Sequence, residues 1–224
     1  MTPVTWPCPL PDGGSAGEYA LTFDRGRDKR LLIVPALFDE ANRMRRFTVE
    51  VMRRLDSAGI DSVLPDLPGC NESLQPLEAQ TPSSWRDAMT SVARHFGTTH
   101  VLGIRGGGLL TPEGLPTWHY APTKAASILR QLIRSRILTA REAGISENQE
   151  GLMETGLAQG LELSGFRLGA TFLCEFQTLT PLAGAAEIAQ DTIGGGGLWL
   201  RAEPDEDRQQ ADALAAVLMI GIKA

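Results

Sequence analysis

The chain has 224 residues, a formal net charge of −6 and 42% hydrophobic residues, enough for one compact α/β domain (residues 1–224) with a sizeable core and a small inserted lid. The acidic balance leaves no global footprint for nucleic acid, and no apolar run reaches membrane-spanning length. Cys8, Cys70 and Cys174 are odd in number and far apart, which points to neither a disulfide framework nor a metal site.

Met1 to Gly17, rich in proline and glycine, reads as a loose arm without a signal-peptide core, so a cytoplasmic protein is expected. Tyr19 to Phe23 alternates like a strand, and the charged run Asp24 to Lys29 reads as a hairpin turn. Arg30 to Pro35 is a continuous apolar run, as in a strand buried on both faces. A helix capped by Asp39 follows. Met44, Phe47, Val51, Leu55 and Ala58 share one face of it, and Gly59 ends it. Ile60 to Pro65 is the next strand, with a turn-rich loop from Asp66 to Ser73. Ser84 and Asp87 resemble a capping box for a helix burying Trp85, Ala88, Met89, Val92, Ala93 and Phe96. Strands alternating with amphipathic helices predict a mostly parallel, doubly wound sheet.

His100 to Ile104 is the pivotal strand. It runs into a glycine-rich corner, Arg105 to Gly108, with a helix start on the far side. Strand, tight turn, helix is the geometry of a nucleophile elbow, which needs small residues two before and two after the nucleophile. Gly103 and Gly107 fill those places, so Arg105 stands where a serine would. Arginine stays protonated and is no ordinary nucleophile.

Pro112, Gly114 and Pro116 cut the next helix short, and Thr117 to Tyr120 is a candidate strand. Ala125 to Ala140 is a strong helix, Ser146 to Gly160 a polar, mobile stretch, and Leu161 to Phe166 a strand or hairpin arm. Ala170 to Leu179 is short and apolar. Gly194 to Gly197 reads as a hinge before a strand at Leu198 to Ala202, and a last helix covers about Asp205 to Met219.

Four segments carry a family resemblance: Val34 to Arg46, the loop D-x-x-G-C-x-x-S from Asp66 to Ser73, the serine-less elbow Gly103 to Leu110, and the stretch from Trp118 through Leu129–Arg134 to Phe166. Together they resemble the α/β-hydrolase superfamily, and within it the hydrolase-2 proteins of bacterial exosortase A systems. The resemblance implies an accessory of exopolysaccharide production and exosortase-linked sorting, and hydrolase chemistry on an undefined substrate. The chain departs from that pattern in two places. The helix after the elbow stops at Pro112, and the C-terminal part is short enough for final sheet strands to be missing. Residues 121–165 are expected to form the lid.

A serine hydrolase needs nucleophile, acid and histidine in that order along the chain. His95, His100 and His119 are the only histidines, and none follows the elbow at a useful distance. Arg105, Glu40 and Cys70 are the remaining candidates for chemistry. Asp66 and Glu72 lie near Cys70 in sequence and would raise its pKa, which favours a structural thiol. Gly103, Arg105, Gly106, Gly107, Asp39, Glu40, Asn42 and Trp118 are the candidate ligand-binding residues. A guanidinium at a helix start suits a carboxylate or phosphate, unless Glu40 already fills the place as an internal ion pair. Arg43, Arg45, Arg46, Arg53 and Arg54 form a basic helix, a solvated face or a dock for a pathway protein. No cofactor, metal, nucleic acid or membrane span is expected. Three functions follow: a triad-less hydrolase homologue that binds or processes a small anionic or acyl ligand at the Arg105 pocket, an active hydrolase with unconventional residues (Cys70 or an acid-activated water), and a non-catalytic partner protein of the exosortase pathway.

Overall fold

The structure is a computed structural model in which residues 1–10 and 13–223 are described. Its main sheet has seven strands in the order β1-β2-β4-β3-β5-β6-β9. These are β1 (Thr2–Pro9), β2 (Ser15–Phe23), β3 (Arg30–Val34), β4 (Asp61–Pro65), β5 (His100–Ile104), β6 (Thr117–Tyr120) and β9 (Ala186–Ile188). The five strands from β4 to β9 run parallel, and the antiparallel β1-β2 hairpin completes one edge through β2 against β4.

Alternation in the buried strands sends side chains to two cores. Leu31, Ile33, Leu102 and Ile104 face α1 (Asp39–Ser57) and α7 (Arg208–Lys223), where Met44, Phe47, Val51 and Leu55 meet Leu214 and Leu218. Leu32, Val34 and Val101 face the other way, toward α2 (Pro82–His95), α3 (Ala125–Glu142) and α5 (Ala170–Phe176), where Trp85, Phe172 and Phe176 fill the space. Trp85 also donates its indole N–H to the Pro68 carbonyl, so this ring meets both demands of a buried tryptophan.

Several expectations need correction. The N-terminal stretch is no loose arm: Thr2–Pro9 pairs along its whole length with β2. Pro3, Pro7 and Pro9 share one parity, so their missing N–H groups fall on the open edge, where they block further pairing. Pro11 and Asp12 of that stretch lie outside the described residues. Asp24 to Lys29 is not a hairpin turn, because β4 lies between β2 and β3. The segment crosses the start of β4, where the Asp61 carboxylate accepts from the backbone N–H groups of Arg25 and Arg27 and from the Arg27 guanidinium. Asp39 does not cap α1: Phe38 is the capping residue, with no side-chain bond. The capping box of α2 is Thr81 with Ser84, one turn earlier than Ser84 with Asp87. Cys174 is exposed on α5.

Between β6 and β9 lie α3, α4 (Gln149–Gln159), the two-stranded hairpin of β7 (Leu161–Leu163) and β8 (Phe166–Leu168), and α5. The stretch expected to be mobile is therefore mostly helix, begun by Asn148, whose side chain accepts from the Gly151 N–H. The sheet's last strand is β9, not Leu198 to Ala202, which begins as a short 3-10 turn over Leu198–Leu200. The glycine run before it is tied down. Gln190, in α6 (Gln190–Ile193), donates to the Gly194 carbonyl, and Gln210 donates to that of Gly196.

Candidate functional site

The carboxyl ends of β3, β4, β5 and β6 open onto one side of the sheet, where parallel α/β sheets hold their ligands. After β5 the chain turns through a 3-10 segment, Arg105–Leu109, rather than an α-helix. Pro112, Gly114 and Pro116 prevent a longer helix, so β5 returns to β6 without the usual helical crossover. The elbow's glycines are explained by contact. A Cβ on Gly107 would lie 2.4 Å from the Val34 carbonyl oxygen and 2.5 Å from that of Pro35. A Cβ on Gly103 would lie 2.8 Å from the Gly108 backbone. Arg105 sits between them at φ 53°, a left-handed conformation costly for any residue with a side chain.

Its guanidinium is largely closed in, with the side chain 15% exposed. Nε donates to Glu40 Oε2 and Nη2 to Glu40 Oε1, both at 3.1 Å, and Nη1 donates to the Ala121 carbonyl at 2.8 Å. The Trp199 ring covers it with its centroid 4.0 Å from Cζ. The Trp199 carbonyl in turn accepts from Arg43. Glu40 is buried in the first turn of α1, where the helix dipole favours a carboxylate. Leu37 and Ile128 pack over Gly106 so closely that a Cβ there would meet both at 2.8 Å. Behind the guanidinium, the buried Tyr120 hydroxyl donates to Gln190. Burial pushes that phenol up to about 12 against the opposing pull of Arg105 and of the Gln190 hydrogen bond.

The predicted residues thus divide. Gly103, Arg105, Gly106, Gly107 and Glu40 meet at the elbow. Asp39, Asn42 and Cys70 line a neighbouring cavity of about 120 Å³ with Phe38, Leu67, Asn71 and Phe166. Trp118 belongs to neither: its ring stacks on His100 at the opposite end of β5 and packs against Gly221 of α7. The aromatic residue of this site is Trp199, which the sequence hid inside an apparent strand. Its only signal was a tryptophan after a glycine run.

Cys70 is an unpromising nucleophile. Burial first, then Asp66 and Glu18, pushes its thiol up to about 12. None of the histidines reaches Arg105. His95 packs against Trp6 and Phe96, and His100 under Trp118. His119 shares a hydrogen bond with Thr111, and burial lowers its pKa. The arginines of α1 are spoken for: Arg43 by Trp199, Arg45 by Asp66, Arg46 by Glu206, Arg53 by Glu50, and Arg54 by Glu50 and Asp212. No group of side chains suited to a metal ion occurs among the described residues.

One pattern was invisible in the sequence. Five non-glycine residues among those described have positive φ: Phe38, Asn71, Arg105, Ala121 and Ser164. All five lie around this site, lining its cavities, forming its elbow or accepting its hydrogen bonds. Such strain costs about 1–3 kcal/mol per residue and collects at ligand sites.

The parallel sheet flanked by helices, with its elbow after β5, is the α/β-hydrolase fold. Among solved structures, a putative hydrolase from Agrobacterium vitis matches 99% of this chain and 100% of its own, with TM-score 0.55 and 15% identity. Est1E from Butyrivibrio proteoclasticus, with ferulic acid bound, matches 72% of this chain and 67% of its own, with TM-score 0.50 and 16% identity. Mouse α/β-hydrolase domain-containing protein 10 matches 79% and 70%, with TM-score 0.51 and 15% identity. No protein-family model and no curated protein matches the sequence. No helix among the described residues is long and apolar enough to cross a membrane.

Proposed function

We propose that this protein keeps the hydrolase fold for non-covalent binding of a small ligand and carries out no acyl transfer at its elbow. The observation that carries the reading is the closed guanidinium. The residue in the nucleophile's place is an arginine whose charge is matched by Glu40 and whose open face is covered by Trp199. A Ser-His-Asp triad has no place in this arrangement. A matched charge also offers little to an anion, so the ligand belongs beside Arg105 rather than on it, in the crevice at Phe38, Asp39 and Asn42. The segment over residues 121–165 acts as its lid.

A high thiol pKa argues against an enzyme built on Cys70. Internally paired arginines argue against α1 as a dock for a pathway protein. The four sequence segments that resemble hydrolase-2 proteins support a role as a bacterial, cytoplasmic accessory of an exosortase and exopolysaccharide locus. Fluorophosphonate labelling and hydrolysis of short acyl esters test the reading. Neither should be detected, and a labelled serine beside the elbow would overturn it.

A further inference from the structure

Three cavities meet at Asp39. The first, of about 120 Å³, runs toward Cys70 and Asn71. A second, of about 110 Å³, lies between α1 and α3 and is lined by Leu37, Phe38, Ile128, Gln131, Leu132 and Ser135. A third, wider and of about 670 Å³, continues past Ser135 and Ser164 to Arg136 and Glu147. Phe38 and Asp39 are common to the first two, and Asp39, Ser135 and Ser164 to the last two.

We propose that this crevice binds a polyhydroxylated ligand, a sugar or a sugar unit of a larger molecule; the proposal rests on the crevice being the ligand site. Two of its ion pairs are closed: Arg136 pairs with Glu147 through two hydrogen bonds, and Glu40 pairs with Arg105, while Arg43 gives a hydrogen bond to the neutral Trp199 carbonyl and keeps its charge. What remains without a side-chain partner among the described lining residues is the carboxylate of Asp39, with the amides of Asn42 and Gln131 and the hydroxyls of Ser135, Thr139 and Ser164; Glu162 is paired with Arg167 at 3.9 Å.

A carboxylate accepts several O–H donors, and amides and hydroxyls both donate and accept. That set suits vicinal hydroxyl groups, each of which does the same. A simple amine would use Asp39 and leave the amides and hydroxyls to water. An anion would meet the Asp39 carboxylate as well as Arg43, and would leave the amides and hydroxyls without acceptors. A long acyl chain would need a continuous apolar channel, whereas the apolar floor is divided by Phe38. The rings of Phe38 and Phe166 edge the first cavity at 5.1 Å between centroids and give the C–H face of a sugar an apolar wall.

The test is an amide ¹H–¹⁵N titration of the full chain with the methyl glycosides of glucose, galactose, mannose and N-acetylglucosamine. Octanoate, ethanolamine and inorganic phosphate are run in parallel. At least one glycoside should give saturable shifts confined to residues 38–42, 131–135 and 164–166. Asp39→Asn and Gln131→Ala, both at exposed positions, should stay folded and weaken that binding at least tenfold. Saturable binding of octanoate, ethanolamine or phosphate at these residues, with none by any glycoside, would overturn the ligand class and leave the crevice as the site. Silence with every probe, or glycoside binding unchanged in both variants, would overturn the proposal, and silence would remove the crevice reading with it.

Discussion

Replacing Arg105 by alanine tests the closed elbow most directly. The two side chains of the ion pair are 15% and 11% exposed, so the pair is largely out of water. Removing one member of a buried pair leaves the other's charge uncompensated, at about 3–5 kcal/mol. Residual exposure places this pair at the lower end, about 3 kcal/mol, even with the contact to Trp199 lost as well. Alanine does not relieve the backbone, because it must still adopt φ 53°. Glycine does, so Arg105→Gly should be about 1 kcal/mol less damaging than Arg105→Ala. Guanidinium chloride denaturation measures each cost, and the melting temperature should fall by about 6–12 °C for the alanine variant. In a double-mutant cycle with Glu40→Ala the coupling should reach about 2 kcal/mol, within the range for contacting residues. An Arg105→Ala cost below about 0.5 kcal/mol with no coupling would show a solvent-facing guanidinium, and the structural account of the elbow would be wrong.

The three thiols should separate in alkylation. Cys174, exposed, should react with iodoacetamide at neutral pH while Cys8 and Cys70, both pushed up to about 12, stay protected until the chain unfolds; fast reaction of Cys70 at pH 6 would reveal a stabilised thiolate. Burial lowers the folded-state pKa of His100 and His119, so their contribution to stability is complete above the unfolded value of about 6.5 and is lost as pH falls below it. Melting temperatures from pH 8 to 5 should decline over that window, less so in His119→Gln, and a flat profile in the parent would contradict the burial of both rings. At Phe38 the usual order of glycine and alanine should invert: with φ 54° and ψ −131° the backbone suits glycine, so Phe38→Gly should be less destabilised than Phe38→Ala, although both lose a buried ring. Equal or better stability for the alanine variant in denaturant would remove the claim of strain there.

The frame was legible wherever one physical requirement dominated. Strands β3, β4 and β5 are buried on both faces, which forces continuous apolar runs, and α1, α2 and α3 each lie on a core, which forces the helical period. The elbow was legible because close approach of three backbone segments admits only glycine at positions 103 and 107. What the sequence concealed depends on neighbours far along the chain. Three prolines hide an edge strand unless the unpaired side of that strand is known. β9 has three residues and no pattern of its own. The apolar residues of α4 follow no single face, and its start is set by Asn148. Trp199 is 94 positions from Arg105, counted from their numbers, and nothing local in its surroundings announces a stacking partner.

The elbow also shows how a strained conformation persists when its residue is no nucleophile. Left-handed φ at Arg105 costs about 1–2 kcal/mol, and glycine at that position would remove the cost. Arginine is held there by contacts that require the strained direction: two bonds to Glu40, one to the carbonyl of Ala121, and the face of Trp199. Ala121 is itself left-handed, at φ 44°. The two strained residues therefore support one another through a single hydrogen bond, and relaxing either one misplaces it. Glu40 follows Phe38 by two residues, so the third strained backbone sets the position of the carboxylate. In consequence the ion pair and the crevice at Asp39 share one support, the backbone at Phe38. A perturbation there should be felt at both places, whereas the surface substitutions at Gln131 should leave the ion pair untouched.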